Sequence, residues 1–391
     1  MEQRRWFVLL LAAGPLACSG GRSADANARR SAERITGVTT DDADALTPAA
    51  KAALDGYYAH VNQGDFLGAR PVLADDVLFT IPGMRCDSGS VDGCEVALDG
   101  SGDGVVLPFT GVWRGKDNVV LLFQTFMKTF TFTKQIVETV QITRPNELIS
   151  FNDEAFQMND ADCDPKVKQA YEVGVIHHMT FDQDTGLVSS LTNYHDAYAA
   201  ELAYVQQDAF DEPVLQAADG TRGVDTRAAA DAVSAWLDAS DDDARAALLD
   251  DNAVWQIPGP PPSRSDGLPF SGTWSGSDQV LTAANTWPMW SSTEVSATVR
   301  LVADHGKVAA VVQEVGTLAD GSPYTLEKID LFQLVPGGDG APRIVSITSY
   351  FDSSPIVHAL HPDLPIARPR CGKQKQPAGP GQADPGQGVG P

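Results

Sequence analysis

The chain is short of cysteine, histidine and basic residues. It has 5 Cys and 7 His in 391 residues and no Cys-x-x-Cys pair. No histidine stands at zinc spacing from a cysteine, so no metal site is expected. Lys and Arg total 28 against 52 Asp and Glu, a net charge of −24. Such acidity argues against a nucleic-acid groove or an anionic membrane surface as the main partner. No run reaches the ~18 apolar residues of a spanning helix, and no glycine-rich phosphate loop is present. What is present suffices for packed cores: hydrophobic residues make up 43%, which rules out global disorder. The length fits two domains with extra segments.

Both ends read as something other than fold. Arg4 and Arg5 precede the apolar run Trp6 to Ala17, which leads into Leu16-Ala17-Cys18. This resembles a bacterial lipoprotein signal (residues 1–18), which implies a lipidated Cys18. Pro15 departs from the pattern, where Leu is usual. An ordinary cleaved secretory signal, giving a secreted or periplasmic protein, is the alternative. Ser19 after the cysteine resembles the outer-membrane sorting pattern, so the implied location is the cell envelope. Residues 19–45 form a small, polar tether. Residues 361–391 are a Pro/Gly-rich tail expected to be disordered. Four cysteines then remain, allowing three pairings. Cys86 and Cys94 flank the short loop DSGSVDG and are the favoured disulfide. Cys163 and Cys371 pair or stay free.

The interior repeats itself. LFTIPG at 78–83 returns as VWQIPG at 254–259, LPFTGVWRGKDNVV at 107–120 as LPFSGTWSGSDQVL at 268–281, and VSSLTNYHD at 188–196 as IVSITSYFD at 344–352. Thr47 and Pro48 start a helix that Gly64 ends. A second short helix precedes a strand from Val77 to Ile81. Gly115 introduces another helix with Val119, Val120, Phe123, Phe126, Met127 and Phe130 on one face. Strand-like segments follow at 133–143, 147–158, 170–182 and 186–196, the last two joined by a turn at Asp184-Thr185-Gly186. The expected class is α+β: two tandem cone-shaped domains, each a strongly curved antiparallel sheet wrapped around helices. The first covers 46–205 and the second 226–360, with a linker at 206–225.

The motifs Asn62-x-Gly64-Asp65, LADDV at 73–77, Gly115 and Tyr194-x-Asp196 resemble the nuclear transport factor 2-like superfamily, above all its SnoaL-like and ketosteroid isomerase-like branches. LDDNAVW at 249–255, Gly276 and Tyr350-x-Asp352 repeat the likeness. The superfamily includes isomerases, cyclases, dehydratases, hydrolases and plain binders, so the fold does not decide the activity. Ketosteroid isomerases use a carboxylate base with a Tyr and a protonated Asp as donors to a dienolate. By that resemblance Tyr57 takes the donor-Tyr place, its alternative being a core tyrosine. His177 replaces the donor Asp in Val175-Ile176-His177-His178-Met179-Thr180-Phe181, either as an acid/base group or as a hydrogen-bonding residue only. The family's base position is held by Ile81 and, in the second copy, Ile257, neither of which takes a proton. Only one of Asp153 and Glu154 can enter the pocket, because neighbouring strand residues face opposite sides; Glu314 matches Glu154 in copy two. Asp196 and Asp352 read as structural, and Asp241-Asp242-Asp243 as a solvated helix start rather than a calcium loop.

The expected ligand contacts are Phe79, Trp113, Phe123, Met179 and, in the second copy, Asp330. Trp287 and Trp290 are at helical spacing, more often core than pocket wall. Two functions compete. One is non-catalytic capture of a small apolar or polycyclic molecule. The other is cofactor-free isomerisation, cyclisation or dehydration beside a carbonyl, by the first domain through Tyr57, His177 and Asp153 or Glu154. No cofactor is called for by either. The two copies would pair as an intramolecular pseudo-dimer, or the chain as a homodimer.

Overall fold

The computed structural model describes residues 45–81, 110–158, 170–204, 215, 217–239, 241–318, 321 and 323–361. The expected signal with Cys18, the Cys86–Cys94 bridge, Cys163 and Cys371 lie outside the described residues, as do the side chains of Trp287 and Trp290.

Helix α1 (Pro48–Val61) opens where expected: the Thr47 hydroxyl accepts from the Ala50 N–H at 3.2 Å and proline occupies the first position. It buries Ala53, Leu54, Tyr57 and Val61 on one face. The expected second helix is a single 3-10 turn at Arg70–Val72. Then follow β1 (Leu73–Ile81), β2 (Gly111–Arg114), α2 (Lys116–Thr129), β3 (Phe130–Arg144), β4 (Glu147–Met158), β5 (Ala170–Phe181), β6 (Val188–Tyr194) and α3 (Ala197–Tyr204). The second half supplies α4 (Thr226–Asp238), α5 (Asp242–Ala246), β7 (Leu249–Ile257), β8 (Gly272–Ser275), α6 (Ser277–Trp290), β9 (Ser291–Asp304), β10 (Lys307–Leu318), β11 (Pro323–Pro336), β12 (Pro342–Tyr350) and α7 (Ser354–Leu360). Asp241 caps α5 by accepting from the Ala244 N–H at 2.8 Å, which accounts for the acidic run there.

The two curved sheets have the same order, β2-β1-β6-β5-β4-β3 and β8-β7-β12-β11-β10-β9. Each is antiparallel except at one junction, where the first strand of the half runs parallel to the last. The expected fully antiparallel sheet is therefore mixed. The reason is the path of the chain: the first strand forms a hairpin with the edge strand that precedes the long helix, and the strand that ends the meander lies along its other side in the same direction. Irregularities repeat as well. Between Leu73 and Leu78 the strand carries extra residues relative to Val188–Ser190, and Leu249–Val254 does the same against Ile344–Ser346. Gly115 at φ 83° and Gly276 at φ 89° occupy the same corner, donating to the carbonyls of Val77 and Ala253 at 2.8 Å each.

A second corner is testable. Gly186 turns β5 into β6 at φ 72°, and a Cβ there would lie 2.5 Å from the Ala49 Cβ and 2.7 Å from its carbonyl carbon. Gly186→Ala is expected to destabilise by about 1–3 kcal/mol, measured by denaturant unfolding.

Residue alternation gives each sheet two apolar faces. The inner face of the first half packs on α1 and α2 through Leu54, Val77, Phe79, Phe123, Val175 and Leu191. The outer face (Ile142, Ile149, Phe151, Ile176, Tyr194) forms one buried cluster with Val302, Ala309, Val311, Ile329, Leu331 and Tyr350 of the second half. The Phe151 and Tyr350 rings are 6.0 Å apart at its centre. Polar ties lie around this core. The Lys307 ammonium donates to the Gln141 carbonyl at 2.6 Å, and Arg300 pairs with Glu147, which also takes His178 at 2.7 Å. Asp196 accepts from the Ser353 N–H at 3.0 Å and its hydroxyl at 2.8 Å. Burial, then the charge of Asp352, raises Asp196 to about 7. Helix α3 continues into the second half: Tyr198, Ala199 and Leu202 share a buried cluster with Ile257, Leu268, Phe270 and Ala283. The Tyr198 hydroxyl donates to Asp266 at 2.9 Å.

Candidate functional site: a buried carboxyl and imidazole in an aromatic cavity

A cavity of ≈ 60 Å³ lies between α1, α2 and the inner face of the first sheet. Its apolar wall comprises Val61, Phe66, Phe79, Ile81, Leu122, Phe123, Phe126, Phe156, Val173, Val175 and Ala200. Five polar residues also line it: Tyr57, Glu154, His177, Asn193 and His195. Closed apolar cavities of about 150 Å³ hold a single benzene. A molecule of a few heavy atoms fits this space, and a larger one would extend out of its open side.

Strand register explains which side chains arrive here. Glu154 pairs with Val173, Asn152 with Val175 and Ser150 with His177, so these six share one face. His177 in turn pairs with Asn193 on β6. Asp153 is one residue off this set and belongs to the other face, the one that carries Phe151 and Ile176. Of the two carboxylates weighed from sequence, Glu154 is thus in the cavity and Asp153 is not.

His177 is the hub. Its Nδ1 lies 3.0 Å from the Tyr58 hydroxyl and its Nε2 lies 3.3 Å from Glu154 Oε1. Both side chains are about 4% exposed. The Glu154 contact is close but misaligned, and Oε1 is buried without a hydrogen bond. Nor is the pair a salt bridge. Burial, then the charge of Asp153, raises Glu154 to about 8. Burial, helped by His195, lowers His177 to about 3, and burial lowers His195 to about 4. Near neutral pH the site holds a mostly protonated carboxyl beside two neutral imidazoles. When Glu154 ionises, the arrangement satisfying every group has Tyr58 donating to Nδ1 and Nε2–H directed at the carboxylate. Tyr57 lies on the same wall. Its hydroxyl is pushed up by burial and by the nearby Glu154, so it remains a protonated donor.

Other candidates fall elsewhere. Phe79 and Phe123 line the cavity with rings 5.2 Å apart. Trp113, opposite Phe79 on the edge strand β2, is core and not among the lining residues. Met179 is also core, flanked across the sheet by Leu148 and Leu191. Asp330, the expected ligand contact of the second copy, belongs to an ion cluster. Lys328 Nζ lies 3.2 Å from both Glu314 and Asp330, Ser349 donates to Asp330 at 2.5 Å, and Trp255 donates to Ser349 at 2.9 Å. Burial alone would lower the Lys328 amine; the two carboxylates reverse this and hold it above its usual value. Glu314 and Asp330 occupy the register positions of Glu154 and His177, and Lys328 that of Val175. The second half thus neutralises what the first leaves open.

Tyr58, Asn193 and His195 were not singled out from sequence. Tyr58 adjoins Tyr57 on α1, and His195 lies inside Tyr194-x-Asp196. Asn193 alternates with Leu191 and His195 on one side of the last strand, the pattern that points to it.

No family model and no curated protein matches this chain. Solved structures are similar to it over about two fifths of its length. An NTF2-like protein from Burkholderia xenovorans LB400 is 16% identical, covering 40% of this chain and 96% of its own, at a TM-score of 0.29. An NTF2-like protein of unknown function from Burkholderia pseudomallei K96243 is 12% identical, over 39% and 95%, at 0.29. An LEH-like epoxide hydrolase of Mycobacterium tuberculosis is 13% identical, over 39% and 86%, at 0.27.

Proposed function

We propose that the first half binds a small, uncharged carbonyl compound and moves a proton beside its carbonyl, with Glu154 as the base. One observation carries this reading: Glu154 Oε1 is buried without a hydrogen bond in an aromatic cavity, 3.3 Å from His177 Nε2. An unsatisfied buried polar group costs about 1–3 kcal/mol, a standing expense that a ligand-handling site explains and a packed core does not. Ionised Glu154 takes the proton from the carbon next to the carbonyl. The C–H electron pair becomes the enolate double bond and the carbonyl pair moves to oxygen. Tyr57, kept protonated by its surroundings, donates a hydrogen bond to that oxygen. His177 and Tyr58 steady the carboxylate. Glu154 then protonates a conjugated carbon, giving isomerisation, or trades its proton with solvent and returns the new one to the same carbon, giving exchange. No cofactor enters these steps. A superfamily base on β1 is not needed, because Glu154 reaches the cavity from β4.

In this reading the chain is two copies of an NTF2-like, SnoaL-like unit in an exported, lipid-anchored protein. The first copy is active, and the second is a structural partner with its acidic position neutralised by Lys328.

The test is α-proton exchange of acetone and butanone in deuterated buffer, followed by NMR. The expected rate rises with pH and levels off above the Glu154 value of about 8. A rate no greater than that of buffer, or one that falls with pH, overturns the proposal.

A further inference from the structure

The cavity face carries more unsatisfied polar chemistry than Glu154 alone. Asn193 Oδ1 is buried without a hydrogen bond, and so is Asn152 Nδ2, whose own Oδ1 accepts from Ser150 at 2.8 Å. Both asparagines lie on the inner face, and Asn193 lines the cavity directly. The second half shows what a purely structural version of this face looks like. Val312 stands at the register position of Asn152, and Ser349 at that of Asn193, the latter hydrogen-bonded to Asp330 and Trp255. At these positions the second half therefore carries no unpaired polar atom, whereas the first half retains two, that of Asn193 at the cavity itself.

Two features fix what would satisfy these atoms. Asn193 Oδ1 is an acceptor and calls for a donor, a hydroxyl or N–H. The Glu154 and Tyr57 side of the cavity accommodates a carbonyl, as described above. Apart from His177 and His195 the remaining wall is apolar, and a space of ≈ 60 Å³ puts both polar groups within reach of one small molecule. We infer that the ligand is a short hydroxycarbonyl compound, whose carbonyl lies toward Glu154 and Tyr57 and whose hydroxyl donates to Asn193 Oδ1. Asn193 is then a specificity-determining residue. This rests on the carbonyl-binding reading of the same cavity.

Hydroxyacetone and acetone differ by the one group in question. Each is titrated into the full-length protein and its dissociation constant read from NMR line broadening and shifts. Hydroxyacetone is expected to bind at least ~10-fold more tightly, since the analogue leaves a buried acceptor unpaired. In Asn193→Leu, of similar volume and without the acceptor, the ratio is expected to fall to about one. Equal affinity for the two compounds in the unaltered protein overturns the inference and assigns Asn193 Oδ1 to ordered water. A ratio that survives Asn193→Leu overturns it too. The first measurement needs no variant to fold. Acetone exchange, tested separately, decides the carbonyl reading. If acetone exchanges and the affinity ratio is one, only the hydroxyl assignment is lost. If acetone neither binds nor exchanges, the carbonyl reading is lost.

Discussion

Glu154→Gln is expected to lower acetone α-proton exchange by at least ~100-fold and to abolish its rise with pH, because the amide keeps the shape but takes no proton. Stability moves in the opposite direction. Glu154 is raised from 4.5 to about 8 in the folded protein. The native state therefore retains a proton that the unfolded chain releases, and the associated stability is complete below pH 4.5 and lost as pH climbs to 8. One pKa unit is worth about 1.4 kcal/mol, so ionised Glu154 carries a penalty on the order of 5 kcal/mol that the glutamine lacks. The melting temperature of Glu154→Gln relative to the parent should thus climb steadily across that interval. A constant difference would mean that Glu154 is ionised throughout and already paired. His177 and His195 act from the acid side. Lowered from 6.5 to about 3 and about 4, they contribute stability present above 6.5 and lost as pH falls through those values. The windows overlap between pH 4.5 and 6.5, where the two imidazoles outweigh the one carboxyl, so together these groups place the greatest stability near pH 6.5.

The second large effect belongs to the other half. Lys328→Met is expected to destabilise the protein by about 3–5 kcal/mol near neutral pH, measured by urea unfolding. Its ammonium is the common partner of Glu314 and Asp330, whose side chains are 7% and 4% exposed. Without it, two carboxylates on one face are left in a core with no counter-charge. Acidification should restore part of the loss, since protonating either carboxylate removes the repulsion. Folded Lys328→Met should exchange acetone within about twofold of the parent, because this cluster belongs to the second half and not to the cavity. A mild effect at neutral pH would mean that water reaches the cluster and screens it. A large loss of exchange would show instead that the halves share one site.

Much of the architecture was legible in the chain. The repeated Ile-Pro-Gly and Leu-Pro-Phe segments announced two similar units, and the paired glycines Gly115 and Gly276 fixed the same corner in each. Side-chain alternation along β4 required one of Asp153 and Glu154 to face inward. These properties are local: period, turn chemistry and capping act within a few residues. Long-range contacts decided the remainder. Whether Asp153 or Glu154 is the inner residue depends on which face of the sheet meets α1 and which meets the second half. Tyr58 reaches His177 while Tyr57 lines the cavity beside it because α1 lies at one rotation against the sheet. The first cone keeps a cavity, whereas α3 packs onto the end of the second cone that carries Ile257, and Lys328 neutralises the position matching Glu154. The amino-acid order alone specifies the elements and the polar residues available. Only tertiary packing, of α1 and α2 over the inner face and of the second sheet over the outer one, determines which of those residues lose water, and desolvation beneath the helices is what turns Glu154 and His177 from ordinary side chains into a poised acid and base.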